Sequence, residues 1–282
     1  MPELPEVETV RRQLAAALPG RTVVDVDVRL ARTVQNATPE ELAAFVRGRA
    51  FAGVGRRGKY LLLPLQPRRE GGAGDEPEQL VVHLRMTGRL TVAGAREAAD
   101  PYTRVVFVLD DGRELRFADV RTFGTIHLCG PGRPAPRGLQ ELGPEPLDDA
   151  FTPDVLAAAL RGRRAPVKAV LLDQRCVAGV GNIYADEALF AAGIHPGRAA
   201  ASLTAEETAL LHAALRQVLE KAIAFGGTTI RDYVNGNGAP GGFQRCLQVY
   251  GRAGEPCPHC GEPIARLRLA GRGTHFCPRC QR

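Results

Sequence analysis

Apolar and polar positions follow a β-type pattern in the first half of the chain, after one N-terminal helix. Residues 2–18 carry apolar side chains at three- and four-residue spacing, which predicts an amphipathic helix that Gly20 ends. Residues 23–30 alternate apolar with polar positions, as in a half-buried strand. Many short strands separated by turn signals predict a β-sandwich. The further strand-like runs are residues 60–65, 80–84, 89–92, 104–109, 114–117 and 125–129.

The second half of the chain has a helical pattern. A stretch rich in Gly and Pro, residues 130–146, predicts a linker. Helix starts are indicated by Thr152-Pro153 and by Thr204 with Glu207, which form a capping-box pattern. We therefore expect an α+β multidomain protein. Its expected parts are a β-sandwich domain with an N-terminal helix (1–130), a linker (131–150), a helical domain (151–240) and a metal-binding module (241–282).

Length and charge narrow the function classes only slightly. The chain has 282 residues, a formal net charge of +6 and an isoelectric point near 9.1, which fits an anionic partner without identifying it. No apolar run is long enough to span a bilayer. The acidic start MPELPEVETV lacks the pattern of a signal peptide, so we expect a cytoplasmic protein that is not exported.

The seven cysteines predict a metal site. Four of them form two C-x-x-C pairs that sixteen residues separate, a spacing typical of zinc sites. The alternatives are a redox dithiol or a chance arrangement of cysteines. Because cysteine fills all four positions, we expect one structural Zn²⁺ per chain and no open position for catalysis. The predicted ligands are Cys257, Cys260, Cys277 and Cys280, and Cys129, Cys176 and Cys246 are expected to be ordinary buried thiols.

The N-terminus carries a weaker catalytic signal. Proline at position 2 favours removal of Met1, which would leave a secondary amine that titrates near pH 8. Such an amine can attack a carbonyl-like carbon and form an iminium. Glu3 beside it could act as a general acid or base. Met-Pro starts are common, however, so this pattern alone does not identify an enzyme.

Six segments resemble motifs of one family along the whole chain. The start MPELPEVETVRRQL is similar to that of the formamidopyrimidine-DNA glycosylases, which are bifunctional DNA repair enzymes. None of the motifs is sufficient singly, but together they are highly specific. The other five are GKYL at 58–61, HLRMTG at 83–88, DVRTFG at 119–124, GVGNIYA at 179–185 and GRGT at 271–274, between the cysteine pairs.

The resemblance implies a fold and a chemistry. It implies a helix–two-turn–helix element in the second half and a zinc-finger β-hairpin at the C-terminus. By similarity, the Pro2 amine attacks C1′ of a damaged nucleotide, and β,δ-elimination then cuts the strand. Glu3 would move protons, and Glu6 would orient the N-terminal helix or simply complement its dipole. Lys59 would contact the lesion or its phosphate, the alternative being an ordinary surface lysine.

The resemblance also implies which residues bind DNA. Met86, Arg121 and Phe123 would fill the space that a flipped nucleotide leaves, and Arg121 would pair with the cytosine opposite. Without the motifs, Met86 and Phe123 would be assigned to a core. Asn182 could contact phosphate, cap a helix, or both. The implied phosphate contacts are His83, Lys168, Asn182 and Arg272, of which Arg272 is also counted among the family's catalytic residues.

Two alternatives remain at this stage. The related endonuclease VIII branch, which prefers oxidised pyrimidines, shares the Pro-Glu start and the helical turn. The spacing of the wedge positions and the segment GGTTIRDY at 226–233, which resembles the start of a loop covering 8-oxoguanine, favour oxidised purines. The chain could also be a non-catalytic DNA-binding protein. An insertion at residues 67–78 departs from the family pattern, and a monomer acting on damaged duplex DNA is the simplest expectation.

Overall fold

The computed structural model describes residues 2–67, 78–229 and 239–282. The chain forms two compact units, Met1–Gln140 with Thr228–Gly241, and Glu141–Gly227 with Gly242–Arg282. Residues 68–77 of the insertion and 230–233 of the segment at 226–233 lie outside the described residues, so the predicted lesion-covering role of that segment stays a prediction. No helix within the described ranges is long and apolar enough to cross a membrane.

The first unit is a β-sandwich of two antiparallel four-stranded sheets. Apolar residues from both sheets and from helix α1 (Leu4–Ala17) form one core. One sheet has the order β1-β6-β7-β5, with β1 Val23–Val28, β5 Gly88–Gly94, β6 Thr103–Leu109 and β7 Arg113–Asp119. The other has the order β2-β3-β4-β8, with β2 Gly55–Arg57, β3 Tyr60–Pro64, β4 Gln79–His83 and β8 Thr125–Cys129. Helices α2 (Pro39–Val46) and α3 (Arg137–Gln140) complete this unit.

Local signals explain where α1 begins and which face it buries. Glu3 is the N-cap, Glu6 completes a capping box with it, and a proline occupies the first turn. Val7, Val10 and Leu14 are buried on one face, as their three- and four-residue spacing predicts. The expected helix and β-sandwich are therefore confirmed.

The second unit is mainly helical and ends in a β-hairpin. Thr152 caps helix α4 (Pro153–Leu160) by accepting a hydrogen bond from the Val155 N–H, and Thr204 and Glu207 form the predicted capping box of helix α7 (Ala205–Ala224). The hairpin pairs β9 (Ala265–Leu269) with β10 (Arg272–Phe276) along their whole length. The elements are α4 Pro153–Leu160, α5 Val167–Leu172, α6 Asn182–Ala191, α7 Ala205–Ala224, β9 Ala265–Leu269 and β10 Arg272–Phe276.

Candidate active site and DNA-binding residues

The start of α1 brings Pro2, Glu3 and Glu6 together in a buried position. The Glu3 backbone N–H donates to Glu6 Oε2 at 2.8 Å. The other carboxylate oxygen of Glu6, Oε1, accepts from the Thr228 backbone N–H at 2.7 Å. Glu6 therefore connects the N-terminal turn with a segment more than two hundred residues later, which supports its predicted orienting role.

Lys59 lies at the tip of the β2–β3 hairpin and is only 6% exposed. Gly58 before it has φ of 53°, a left-handed conformation that suits glycine. Arg56 ties this tip to α1, because its guanidinium donates to the Gly58 carbonyl at 3.0 Å and to Glu8 at 3.1 Å. The alternative of an ordinary surface lysine is therefore wrong.

His83, on β4, is a buried and neutral imidazole. Burial, with the charges of Arg85, Lys59 and His127, lowers the pKa of His83 to about 3. Its Nδ1 accepts from the Arg85 backbone N–H at 2.9 Å, which leaves the ring proton on Nε2. The Tyr60 ring packs edge-on at 4.6 Å between centroids. His83 can therefore offer a phosphate a neutral N–H donor rather than a positive charge.

Two tight turns present the predicted wedge residues. The first contains Met86, which is half-buried and follows Arg85 at φ 54°. The second contains Arg121 and Phe123 on either side of Thr122, whose φ is 58°. Phe123 is 53% exposed, and the Arg121 guanidinium lies 5.0 Å from the centre of its ring. An exposed phenylalanine beside an arginine fits a wedge and not the core position that is the alternative.

A buried carboxylate joins the two turns. Asp119 accepts from the hydroxyl of Thr87 in the first turn, and from the backbone N–H groups of Arg121 (3.2 Å) and Gly124 (2.7 Å) in the second. Arg32 also donates to the Thr122 hydroxyl. The sequence motif contained Asp119 but gave it no role. The structure gives this first residue of the motif a role, because its buried carboxylate accepts hydrogen bonds from both turns.

Close packing explains the glycines that end both motifs. A Cβ at Gly88 would lie 2.4 Å from the carbonyl oxygen of Leu84. A Cβ at Gly124 would lie 2.5 Å from Cζ of Phe117 and 3.1 Å from Asp119 Oδ2. Neither position has space for a side chain, so both glycines serve the packing of the turns.

In the second unit, Asn182 is hydrogen-bonded to Gly273, the residue that follows Arg272. Asn182 is the first residue of α6, and its Nδ2 donates to the Gly273 carbonyl at 3.0 Å. The N-cap of α6 is Gly181, so the alternative of a plain N-cap for Asn182 is wrong. Arg272 is exposed at the start of β10, directly before Gly273. Their predicted phosphate contacts are compatible with these positions.

Lys168, on α5, is 0% exposed. Its ammonium donates to the Gly273 carbonyl (3.1 Å) and the Thr274 hydroxyl (2.8 Å), and lies 2.7 Å from Asp186 Oδ1. A direct bond to DNA would require Nζ to leave these acceptors. The geometry supports a role in holding the hairpin, and the phosphate contact of Lys168 stays a prediction.

The four predicted metal ligands form one cluster at the base of the β9–β10 hairpin. Their Sγ atoms all lie within 4.8 Å of one another, with Cys257–Cys280 at 3.9 Å and Cys260–Cys277 at 3.5 Å. A tetrahedral zinc with bonds of about 2.3 Å places its sulfurs roughly 3.8 Å apart. The residues therefore fit a structural metal held by four thiolates. Cys129 and Cys176 are buried as expected, whereas Cys246 is only partly buried.

Three family models match the chain and together cover most of it. The Formamidopyrimidine-DNA glycosylase N-terminal domain matches residues 1–126. The Formamidopyrimidine-DNA glycosylase H2TH domain matches residues 142–234, and the zinc finger found in FPG and IleRS matches residues 254–282.

Full-length relatives and solved structures agree with these matches. The formamidopyrimidine-DNA glycosylase of Symbiobacterium thermophilum is 52% identical over 100% of this chain and 89% of the relative. That of Geobacillus kaustophilus is 49% identical over 100% of both chains. A Lactococcus lactis FPG mutant in complex with Fapy-dG-containing DNA has a TM-score of 0.90 at 38% identity, over 100% of both chains. MutM (FPG) from Thermus thermophilus has a TM-score of 0.85 at 46% identity, over 99% of this chain and 98% of that one.

The fold, the family matches and the four-cysteine finger define a DNA-binding glycosylase of DNA repair that acts on damaged DNA. The chain belongs to the formamidopyrimidine-DNA glycosylase family. The resemblance inferred from the sequence motifs is confirmed, as is the α+β fold with its H2TH element.

Proposed function

We propose that this protein is a bifunctional glycosylase and AP lyase that removes 8-oxoguanine and formamidopyrimidines from duplex DNA. The proposed nucleophile is the amine of Pro2 after Met1 is removed, and the strand is then cut by β,δ-elimination. We further propose that it acts as a monomer in the bacterial cytoplasm and that the ion in its finger is zinc.

The observation that carries this proposal is the buried acidic turn around Pro2. Glu3 and Glu6 are both nearly inaccessible, and the Glu6 carboxylate fixes the turn through the N–H groups of Glu3 and Thr228. A turn fixed in this way would hold a terminal amine at a constant place and leave the Glu3 side chain beside it. Terminal amines titrate near pH 8, so a useful fraction is neutral at pH 7 without a large shift.

The proposed reaction has two stages. The Pro2 nitrogen attacks C1′, the C1′–N bond to the base breaks, and the base leaves with a proton that Glu3 can supply. The Pro2 nitrogen loses its proton and the C1′–O4′ bond opens with proton transfer to O4′, which turns the C1′–nitrogen bond into an iminium. This iminium makes the C2′ proton acidic. Its loss expels the 3′ phosphate, and a second elimination expels the 5′ phosphate. While Met1 is attached, the Pro2 nitrogen is an amide and cannot form the iminium.

The two joined turns support the extraction step. A nucleotide must leave the stack before C1′ can be reached, and apolar side chains fill the gap that results. Met86 and the exposed Phe123 are suited to this, and the Arg121 guanidinium offers two donors to the O2 and N3 acceptors of an orphaned cytosine. Cytosine is the normal partner of an oxidised guanine, so this arrangement favours oxidised purines.

The solved complexes of the Lactococcus lactis protein bear on substrate choice. That protein is described with Fapy-dG-containing DNA, and also with DNA that contains an oxidised pyrimidine. For this chain, we propose that oxidised purines are preferred to oxidised pyrimidines, as its wedge residues suggest. Assays should therefore carry both lesions in the same sequence.

Borohydride trapping tests the nucleophile. Wild-type protein, with Met1 removal verified by intact mass, is incubated with duplex DNA carrying 8-oxoguanine opposite cytosine. We expect a covalent adduct, at least about 100-fold less of it with protein that retains Met1, and normal trapping with Pro5→Ala, which alters a proline of the same turn. Undiminished trapping by protein that retains Met1, or no adduct with processed wild type, would rule out the mechanism.

A further inference from the structure

A buried ion pair links two helices of the second unit. Lys168 on α5 and Asp186 on α6 are 0% and 1% exposed, and their Nζ and Oδ1 atoms lie 2.7 Å apart. No motif in the sequence singled out Asp186. A buried lysine without a carboxylate partner would be costly, so the two residues depend on each other.

The pair also holds three consecutive residues of β10. Lys168 donates to the Gly273 carbonyl (3.1 Å) and to the Thr274 hydroxyl (2.8 Å). Asp186 Oδ2 accepts from the His275 backbone N–H at 2.9 Å and lies 3.3 Å from the ring Nδ1 of the same histidine. These contacts fix both the position and the rotation of the strand whose first residue is Arg272.

Asp186 is also part of the contacts that link Asn182 to the strand of Arg272. Asp186 lies four residues after Asn182, so both project from the same face of α6. The Asn182 amide donates to the Gly273 carbonyl, which is the acceptor that Lys168 uses as well. The two proposed phosphate contacts are therefore joined through one carbonyl and one ion pair.

The metal cluster does not make these contacts redundant. Its ligands Cys277 and Cys280 follow the C-terminal end of β10, whereas Arg272 is at the other end of that strand. Ion pairs of this kind add little net stability compared with well-packed apolar residues. What the pair provides is a fixed register between α6 and the tip of the hairpin.

We infer that Asp186 is a positioning residue that, through Lys168 and β10, holds Arg272 and Asn182 in the geometry that clamps a DNA phosphate. This inference rests on the phosphate contact of Arg272 proposed above. It predicts that loss of the Asp186 carboxylate weakens DNA binding by the same route as loss of Arg272.

A double-mutant cycle tests the inference. The probe is duplex DNA carrying a tetrahydrofuran abasic analogue, so that binding is measured without base release. We expect Asp186→Asn and Arg272→Ala each to weaken binding about tenfold and to lower the slope of log K against log salt by about one. The double variant should be within about twofold of Arg272→Ala alone. Asp149→Asn, the same change at an exposed carboxylate of this unit, should bind like wild type.

The possible outcomes distinguish failure of the Asp186 inference from failure of the proposed phosphate contact of Arg272. If Arg272→Ala weakens binding and Asp186→Asn does not, or if the two effects multiply fully, Asp186 does not act through Arg272 and the inference fails alone. If Arg272→Ala has no effect, the phosphate contact and the inference fail together. All variants are compared at equal zinc content and well below their melting temperatures.

A second variant covers the case in which Asp186→Asn loses zinc or unfolds because the buried Lys168 charge no longer faces the Asp186 carboxylate. Lys168→Met with Asp186→Leu replaces the pair by apolar side chains of similar size, which such sites often tolerate. We expect this protein to keep its zinc and its melting temperature but to bind the abasic analogue about tenfold more weakly. Binding equal to that of wild type would overturn the inference.

Discussion

Arg121 and Arg272 are both proposed to face DNA, but the chain supports them in different ways. Arg121 is in a turn between β7 and β8 whose backbone N–H groups bind one buried carboxylate, Asp119. Arg272 begins a strand that a four-cysteine cluster anchors at its far end and that the Lys168–Asp186 pair holds near its start.

The difference follows from the core available to each region. The turn of Arg121 rests on a sandwich core with two dozen buried apolar residues, which come from α1, α2, both sheets and the loops between them. The finger has only a small core, made of Val249, Cys257, Ile264 and Cys277 together with Phe190 of α6. A region with so little apolar surface to bury needs cross-links, whereas a turn on a large core needs only local hydrogen bonds.

Metal removal is the largest test of this comparison. Because the finger's folding is expected to depend on its ion, chelation should unfold β9–β10 and weaken binding of duplex DNA at least about 100-fold. Hydrogen exchange should show lost protection in 265–276 and unchanged protection in 103–119. Returning zinc should restore both properties. An apo-protein that keeps its hairpin protection would contradict the proposed division of roles.

Replacement of Asp119 tests the support of Arg121. Asp119→Ala leaves the Gly124 N–H without its acceptor and the Arg121 N–H with only the Thr87 hydroxyl, which should destabilise the first unit by about 2–3 kcal/mol. Excision of 8-oxoguanine should fall by at least about tenfold, while zinc content stays at one per chain. Asp27→Ala, at an exposed carboxylate of β1, is the matched control and should behave like wild type. Normal unfolding and excision by Asp119→Ala would show that the turn does not depend on it.

Local signals predicted much of the fold. Two of these signals depend on neighbouring residues only: the capping box of Thr204 and Glu207, and the alternation of apolar and polar residues in the strands. The structure contains both the capped helix and the strands. Helix α2 was missed although Thr38 and Glu41 form the same kind of box with Pro39 after the cap. Strand β2 has three residues, too few for an alternating pattern to register.

The supporting residues of the site were harder to predict. An acidic residue is usually exposed, so nothing in the sequence near Asp186 indicates that it is buried against a strand some ninety residues later. Motifs pointed to the residues that we propose face DNA, such as Arg272 and Phe123. They did not identify the carboxylates behind them, because a buried partner is defined by tertiary packing and not by spacing along the chain.

A smaller effect is expected from His83, which contributes to the first unit's dependence on pH. Its pKa is lowered to about 3 by burial and by Arg85, Lys59 and His127, against about 6.5 in an unfolded chain. Below pH 6.5 the unfolded state therefore binds a proton that the folded state does not, and stability falls as the pH falls. Between pH 7 and pH 5, wild type should lose about 1–2 kcal/mol more stability than His83→Gln. Parallel stability curves in urea would contradict a neutral, buried His83.

The smallest effects are expected when each of the two arginines is replaced alone. These two variants test whether Arg121 and Arg272 have different roles in DNA binding. Arg272→Ala should lower the salt slope of duplex binding by about one and weaken binding about tenfold for any base opposite the lesion, since a phosphate contact carries no sequence information. Arg121→Ala should leave the slope almost unchanged, because its proposed partner is a base, and should reduce the preference for cytosine opposite 8-oxoguanine. The measurement is binding of the abasic analogue opposite each of the four bases at several salt concentrations. If both variants changed the slope equally and left the base preference intact, the two arginines would share one role, and the different supports behind them would have no functional counterpart.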